Sequence, residues 1–141
     1  MDYVQMTAPC GRDCFNCPLY LAKDNDRYRR IVAKKMGIPF EKAICKGCRN
    51  ENGIIPFLDM KETCKILKCT NGRKINFCCE CSDFPCDSLH PLMDKATEFP
   101  HNTKVFNLCL IRKMGLEAWA KNKAKSVFDK YYNGKLEELF K

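Results

Sequence analysis

The sequence predicts a small cysteine-rich domain of mainly α or α+β class, with irregular loops in its first part and helices in its C-terminal part. Three observations carry this expectation. Twelve of the 141 residues are cysteine, and all but Cys109 lie between Cys10 and Cys86. Helix start and stop signals recur along the chain. Strand signals are confined to Ile54-Ile55 and Ile75–Phe77, each long enough only for a small hairpin.

The first helix expected is capped within Asp24 to Asp26. It carries Tyr28, Ile31, Val32 and Met36, and Gly37 stops it. Asp59 followed by Glu62 has capping-box spacing. The helix opened there would hold Cys64, Ile66 and Leu67, and Thr70-Asn71-Gly72 would end it. Thr103 is placed to cap VFNLCLIRKM, which Gly115 ends. From Leu116 to Tyr132, Trp119, Val127, Phe128, Tyr131 and Tyr132 fall on one broad helix face, closed by Asn133-Gly134. Leu136, Leu139 and Phe140 suit a last short helix.

At 141 residues the chain is too short for a (β/α)₈ barrel of roughly 250 residues. Apolar runs such as Val105–Ile111 fall well below the ~18 residues of a membrane span. The N-terminus, MDYVQMTAPC, lacks a basic patch followed by an apolar run, so a cytoplasmic protein is expected. Cytosolic thiols stay reduced, which turns the cysteine pattern toward metal chemistry rather than disulfides. The formal charge of +8 needs correcting on that reading. Two zinc sites of four thiolates, each at −2, bring it to roughly +4.

The cysteines fall in four groups: Cys10, Cys14 and Cys17; Cys45 and Cys48; Cys64 and Cys69; and Cys78, Cys79, Cys81 and Cys86. Three of the groups contain a C-x2-C pair, at 14/17, 45/48 and 78/81. One tight turn then presents two sulfurs to one ion, while turn N–H groups point at the thiolates. Gly47 suits such a turn because glycine accepts positive φ. Loop length favours Cys45, Cys48, Cys64 and Cys69 sharing one zinc. A condition attaches. Five residues on a helix stand about 140° apart, so Cys64 and Cys69 share an ion only if the helix ends before Cys69. Otherwise Cys45 and Cys48 pair with Cys78 and Cys81. Cys10, Cys14 and Cys17 would be completed by Cys78, Cys81 or Cys86. His90 is within reach of an ion but reads as a surface histidine beside Pro91, and His101 has no functional reading. Cys79 is an extra beside Cys78, and Cys109, between Leu108 and Leu110, reads as a buried packing residue. One domain, 1–141, follows: a cysteine-rich metal-binding part, 1–95, stapled by metal, with a helical part, 96–141, packing on it.

With APCGRDCFNCPLY at 8–20, CKGCRN at 45–50, CKILKC at 64–69, FCCECSDFPC at 77–86 and NLCLIRKMGLEAW at 107–119, the chain resembles the domain of unknown function 3795 family. These are small cysteine-rich bacterial and archaeal proteins to which zinc binding has been ascribed. The resemblance implies metal ligands at Cys10, Cys14, Cys17, Cys45, Cys48, Cys64, Cys69, Cys78, Cys81 and Cys86, and about two Zn²⁺ ions. It implies no activity. Longer relatives end in a further C-x2-C knuckle, where this chain has KNKAKSVFDKYYNG. The Cys10-x3-Cys14-x2-Cys17 spacing also resembles the cluster motif of radical S-adenosylmethionine enzymes, but the alternating strands and helices of their barrel are missing.

The function expected is a zinc-binding protein with structural thiolate sites, a non-catalytic interaction module of unknown specificity. All-cysteine sites are closed and leave no position for a substrate. The alternative is an iron–sulfur ([4Fe–4S]) protein or a metal-dependent enzyme, because all-cysteine ligation serves both zinc and clusters. Glu80, the one acidic residue flanked by candidate ligands, reads as a turn residue. Basic clusters at Arg27, Arg29, Arg30, Lys34 and Lys35 and at Lys121, Lys123 and Lys125 could meet a protein or nucleic-acid partner. Their simpler reading is as solvated helix faces.

Overall fold

The computed structural model describes residues 1–141. It is mainly helical, with 53% of residues in helices and no strand. The hairpin expectations at Ile54-Ile55 and Ile75–Phe77 therefore fail, and the one β-bridge joins Thr7 to Asp13. Six α-helices follow in order: α1 (Pro18–Leu21), α2 (Asp26–Met36), α3 (Lys65–Arg73), α4 (Lys104–Met114), α5 (Leu116–Asn122) and α6 (Ala124–Asn133). Single 3₁₀ turns fill much of the rest.

Local chemistry explains most boundaries. Pro18 opens α1, where its missing N–H costs nothing. Asn25 caps α2, its Oδ1 accepting the Tyr28 N–H at 3.0 Å. Gly37 ends α2 at φ 64°, as its sequence position implies. Gly115 ends α4 at φ 87°. Thr103 precedes α4 but does not cap it; its hydroxyl donates back to the Pro100 carbonyl at 2.6 Å.

Three helix expectations need correction. Asp59 and Glu62 do not open α3. Asp59 ends the 3₁₀ turn Pro56–Leu58 at φ 52° and pairs with Lys42, and Cys64 stands at the N-cap of α3. Gly72 does not stop α3 either. The helix runs through Thr70, Asn71 and Gly72 to Arg73, and Lys74 turns the chain at φ 56°. Burial of Thr70 with Ile66 and Leu67 on one face holds this last turn against the ~1 kcal/mol cost of a helical glycine. The stretch after Leu116 is two helices, broken at Lys123 (φ −132°, ψ −39°), which lets α6 turn away from α5.

Apolar burial is divided among three small clusters. One gathers Met6, Phe15, Ile111, Trp119, Ala120 and Ala124. A second gathers Ala8, Cys10, Ile66, Phe77, Leu89 and Leu108. The third gathers Leu19, Ala22, Val32, Ala33, Ala43 and Cys45. The helical C-terminal part packs directly on the cysteine-rich part. Fully buried Trp119 meets Phe15 edge-on at 6.0 Å, and Phe15 sits between Cys14 and Cys17. Buried Asn107 strengthens the junction. Its Nδ2 donates to the Gly11 carbonyl at 2.9 Å, and its Oδ1 accepts from Trp119 Nε1 at 3.3 Å.

Candidate metal centres

Two C-x2-C pairs lie on the same device. Cys14 and Cys17 bracket the 3₁₀ turn Cys14–Asn16, and Cys78 and Cys81 bracket Cys78–Glu80. In each, the second cysteine's N–H donates to the first one's carbonyl, at 3.1 Å. A 3₁₀ turn has three residues, so positions i and i+3 eclipse and both side chains leave on one side. The third pair uses glycine. Gly47 adopts φ 100°, and its N–H points at Cys45 Sγ, 3.4 Å away.

The ten predicted cysteines line two cavities. Cys69, Cys78, Cys81 and Cys86 surround a small one of about 90 Å³. Arg73 Nη1 donates to Cys81 Sγ at 3.0 Å, and the Asp83 N–H points at the same sulfur at 3.4 Å. Arg73 Nη2 also pairs with the Asp83 carboxylate at 3.0 Å. Cys10, Cys14, Cys17, Cys45, Cys48 and Cys64 line a larger cavity of about 220 Å³. There the Cys48 N–H points at Cys14 Sγ at 3.5 Å. The Cys64 N–H donates to the Gly53 carbonyl and the Gly53 N–H to the Cys48 carbonyl, closing the knuckle onto the start of α3.

This division differs from the one expected from loop length. Because α3 continues past Cys69, Cys64 at its N-cap and Cys69 in its second turn face different cavities. Cys78, Cys81 and Cys86 accompany Cys69 rather than Cys10, Cys14 and Cys17. All twelve cysteines are free thiols. No three Cys, His, Asp or Glu side chains already converge in an arrangement that would hold an ion. The donor chemistry nevertheless suits one. Four sulfurs are what a tetrahedral thiolate site requires, and the arginine and backbone N–H aimed at one of them would support its negative charge.

Electrostatics add to this. Burial pushes the Cys14 thiol up to about 11 and those of Cys45 and Cys78 up to about 12, and neighbouring sulfurs add to each rise. Cys10 and Cys48 are raised for the same first reason. With no cation among them these sulfurs stay protonated at neutral pH. A divalent ion reverses that balance and expels the protons.

The remaining candidates sort clearly. His90 is exposed, its Nδ1 is 2.6 Å from the Pro91 carbonyl, and it lines neither cavity. Glu80 accepts the Phe77 N–H and is spent on its own turn. Cys79 is half-buried against the apolar clusters and away from both cavities. Cys109 is not the buried packing residue its sequence neighbours suggest; it is exposed on α4. Cys109→Ala is therefore expected to leave metal content unchanged and to alter stability by no more than ~0.5 kcal/mol, as surface substitutions do. Metal analysis and a urea melt check both.

Sequence reasoning missed three residues. His101 borders the larger cavity, its ring nitrogens 3.1 and 3.0 Å from the carbonyls of Phe99 and Leu92. Arg49, inside CKGCRN, donates to the carbonyls of Thr7 and Asn76 at 2.9 and 2.6 Å, binding the knuckle to both neighbouring cysteine segments. Asn107 interrupts an apolar run, which is the signal that could have marked it as a buried polar hub. Of the basic clusters, Arg29 is held by the carbonyls of Phe40 and Glu41, and Lys121 and Lys125 pair with Glu117 and Asp129.

Fold and site together define a helical, cysteine-rich protein with two sulfur-lined cavities. The chain belongs to the family described as "Protein of unknown function (DUF3795)", which matches residues 6–91 and so includes all ten of these cysteines. No curated protein and no solved structure matches the chain. No helix is long and apolar enough to cross a membrane.

Proposed function

We propose that this is a metal–thiolate protein with two centres of different kinds. Cys69, Cys78, Cys81 and Cys86 hold one structural Zn²⁺ ion, and the second centre draws its ligands from Cys10, Cys14, Cys17, Cys45, Cys48 and Cys64. The observation that carries the reading is the division of ten sulfurs between two cavities by helix α3. A site closed by four thiolates gives structure rather than catalysis. The chain then acts as a non-catalytic interaction module in a reducing compartment such as the cytoplasm. Arg27, Arg30, Lys34 and Lys35 on α2, and Lys123 between α5 and α6, are exposed and in no ion pair, and of the two basic clusters they are the residues open to a protein or nucleic-acid partner.

The larger cavity favours a second reading for its own centre. It has six sulfurs and about 220 Å³, against four and about 90 Å³. A [4Fe–4S] cluster needs four cysteines and more room than one ion.

Metal analysis of the native chain and of two variants tests the proposal. Cys69→Ala is expected to lose about one zinc per chain and Cys64→Ala to spare that ion while depleting the other centre. Loss of the same ion by both variants sinks the division. Iron and acid-labile sulfide in matching amounts, removed by Cys64→Ala alone, assign the cluster to the larger cavity. Less than one zinc in the native chain removes the zinc claim.

A further inference from the structure

Arg12 is anchored by its backbone and unspent at its tip. Its carbonyl accepts the Ala8 N–H at 2.9 Å beside the Thr7–Asp13 bridge. The preceding Gly11 sits so close to α4 that a Cβ there would stand 2.7 Å from the Lys104 carbonyl. The loop cannot drift, so the root of the Arg12 side chain is fixed. Yet its Nη1 is buried and meets no acceptor. The contrast with the other engaged arginines is plain. Arg29 and Arg49 each satisfy two backbone carbonyls, and Arg73 satisfies a sulfur and a carboxylate. A buried cationic donor without a partner is costly, and the cost falls when an anion arrives.

Arg12 opens onto a third cavity, of about 480 Å³, between α2, α6 and the loop around Phe99. That volume is within the range of organic-ligand sites. Its walls mix aliphatic side chains with the aromatic rings of Tyr28, Phe57, Phe99, Phe128 and Tyr132, Cys17 lies on its lining, and exposed Lys35 stands at its edge. Glu98 is the only carboxylate on the lining. Apolar and aromatic walls, an unpartnered guanidinium and a second cation ask for a flat apolar body bearing a negative headgroup.

We propose that this cleft binds a small aromatic anion, a carboxylate or a phosphate ester, with Arg12 holding the headgroup and the aromatic residues holding the body. The proposal goes beyond the metal reading and does not rest on it. Arg12 also borders the larger sulfur-lined cavity, so its competing role is as a counter-charge to thiolates there. Arg12 donates to no sulfur, unlike Arg73, and its charge is felt by Tyr132 on the cleft lining as well as by Cys10 and Cys14, so the experiment below separates the two roles.

Calorimetry and amide chemical shifts on the full chain as purified, metals retained, test this with phenyl phosphate, benzoate and uncharged benzyl alcohol. At least one anion is expected to bind saturably, about tenfold or more tighter than benzyl alcohol, the scale of one charge-assisted hydrogen bond. Shifts should centre on Tyr28 and Phe128. Arg12→Met should abolish the preference for the anion and leave the metal content intact. No saturable binding of either anion, equal binding of benzyl alcohol, or unchanged anion affinity in Arg12→Met overturns the proposal. So does an Arg12→Met chain that loses metal while native protein shows no anion preference, the mark of a counter-charge role. Where Arg12→Met does not fold, Phe128→Ser decides. It leaves the guanidinium in place, and it should weaken the anion several-fold; an unchanged affinity overturns the proposal.

Discussion

A strong chelator with reductant is expected to unfold residues 10–86. Only 29 of 141 residues are buried, and the apolar ones among them gather in three clusters of six residues rather than one core. Two of these clusters contain a cysteine that lines the larger cavity: Cys10 in one and Cys45 in another. Cores this small supply little beyond the entropy of ordering the chain. Structural zinc contributes ~10–16 kcal/mol in small peptides at neutral pH, as much as a typical domain's whole stability. Helices α4 and α5 should keep partial helicity but lose the surface at Phe15 on which Trp119 packs. Acid should act like the chelator, because protons compete for the same sulfurs. Amide exchange measures the result residue by residue. Protection persisting through 45–86 with no metal bound would mean that packing alone holds the fold.

The second large effect is expected at the junction between the two parts. Asn107→Leu removes the partner of the Gly11 carbonyl and of the Trp119 indole N–H in a fully buried setting. Each of the two orphaned groups costs ~1–3 kcal/mol, so a loss of about 2–6 kcal/mol is expected. Trp119→Ala should cost ~3–5 kcal/mol, because it also empties the space against Phe15, Met6 and Ile111. Denaturant melts followed by circular dichroism give both values, and metal analysis of the folded variants should remain native. A loss under ~1 kcal/mol for Asn107→Leu would show that water replaces both hydrogen bonds.

Much of the local structure was legible in the residues. Asn25 and Gly37 bound α2, Gly115 ends α4, and Gly47 makes the turn between Cys45 and Cys48, each through a conformational preference acting within a few residues. The family resemblance, in line with the spacing, set ten cysteines apart from Cys79 and Cys109, and both extras lie off the two sulfur-lined cavities. What escaped was everything set by competition between local preference and burial. Gly72 is a helix stop by propensity, but about 1 kcal/mol is less than the burial of the Ile66, Leu67 and Thr70 face offers. The break at Lys123 has no local signal and follows from how α5 and α6 pack on the first part.

The grouping of the sulfurs belongs to that second class. Spacing alone determined that Cys14 and Cys17, Cys45 and Cys48, and Cys78 and Cys81 each share one tight turn, because a four-residue turn fixes its own geometry. Which pairs face one another was decided only in the tertiary structure, where extending α3 by one turn turned Cys69 away from Cys64 and toward Cys78, Cys81 and Cys86. The same holds for Arg12 and Asn107. Their roles depend on which donors and acceptors remain unsatisfied once distant segments have packed, and that balance is written in no short stretch of sequence.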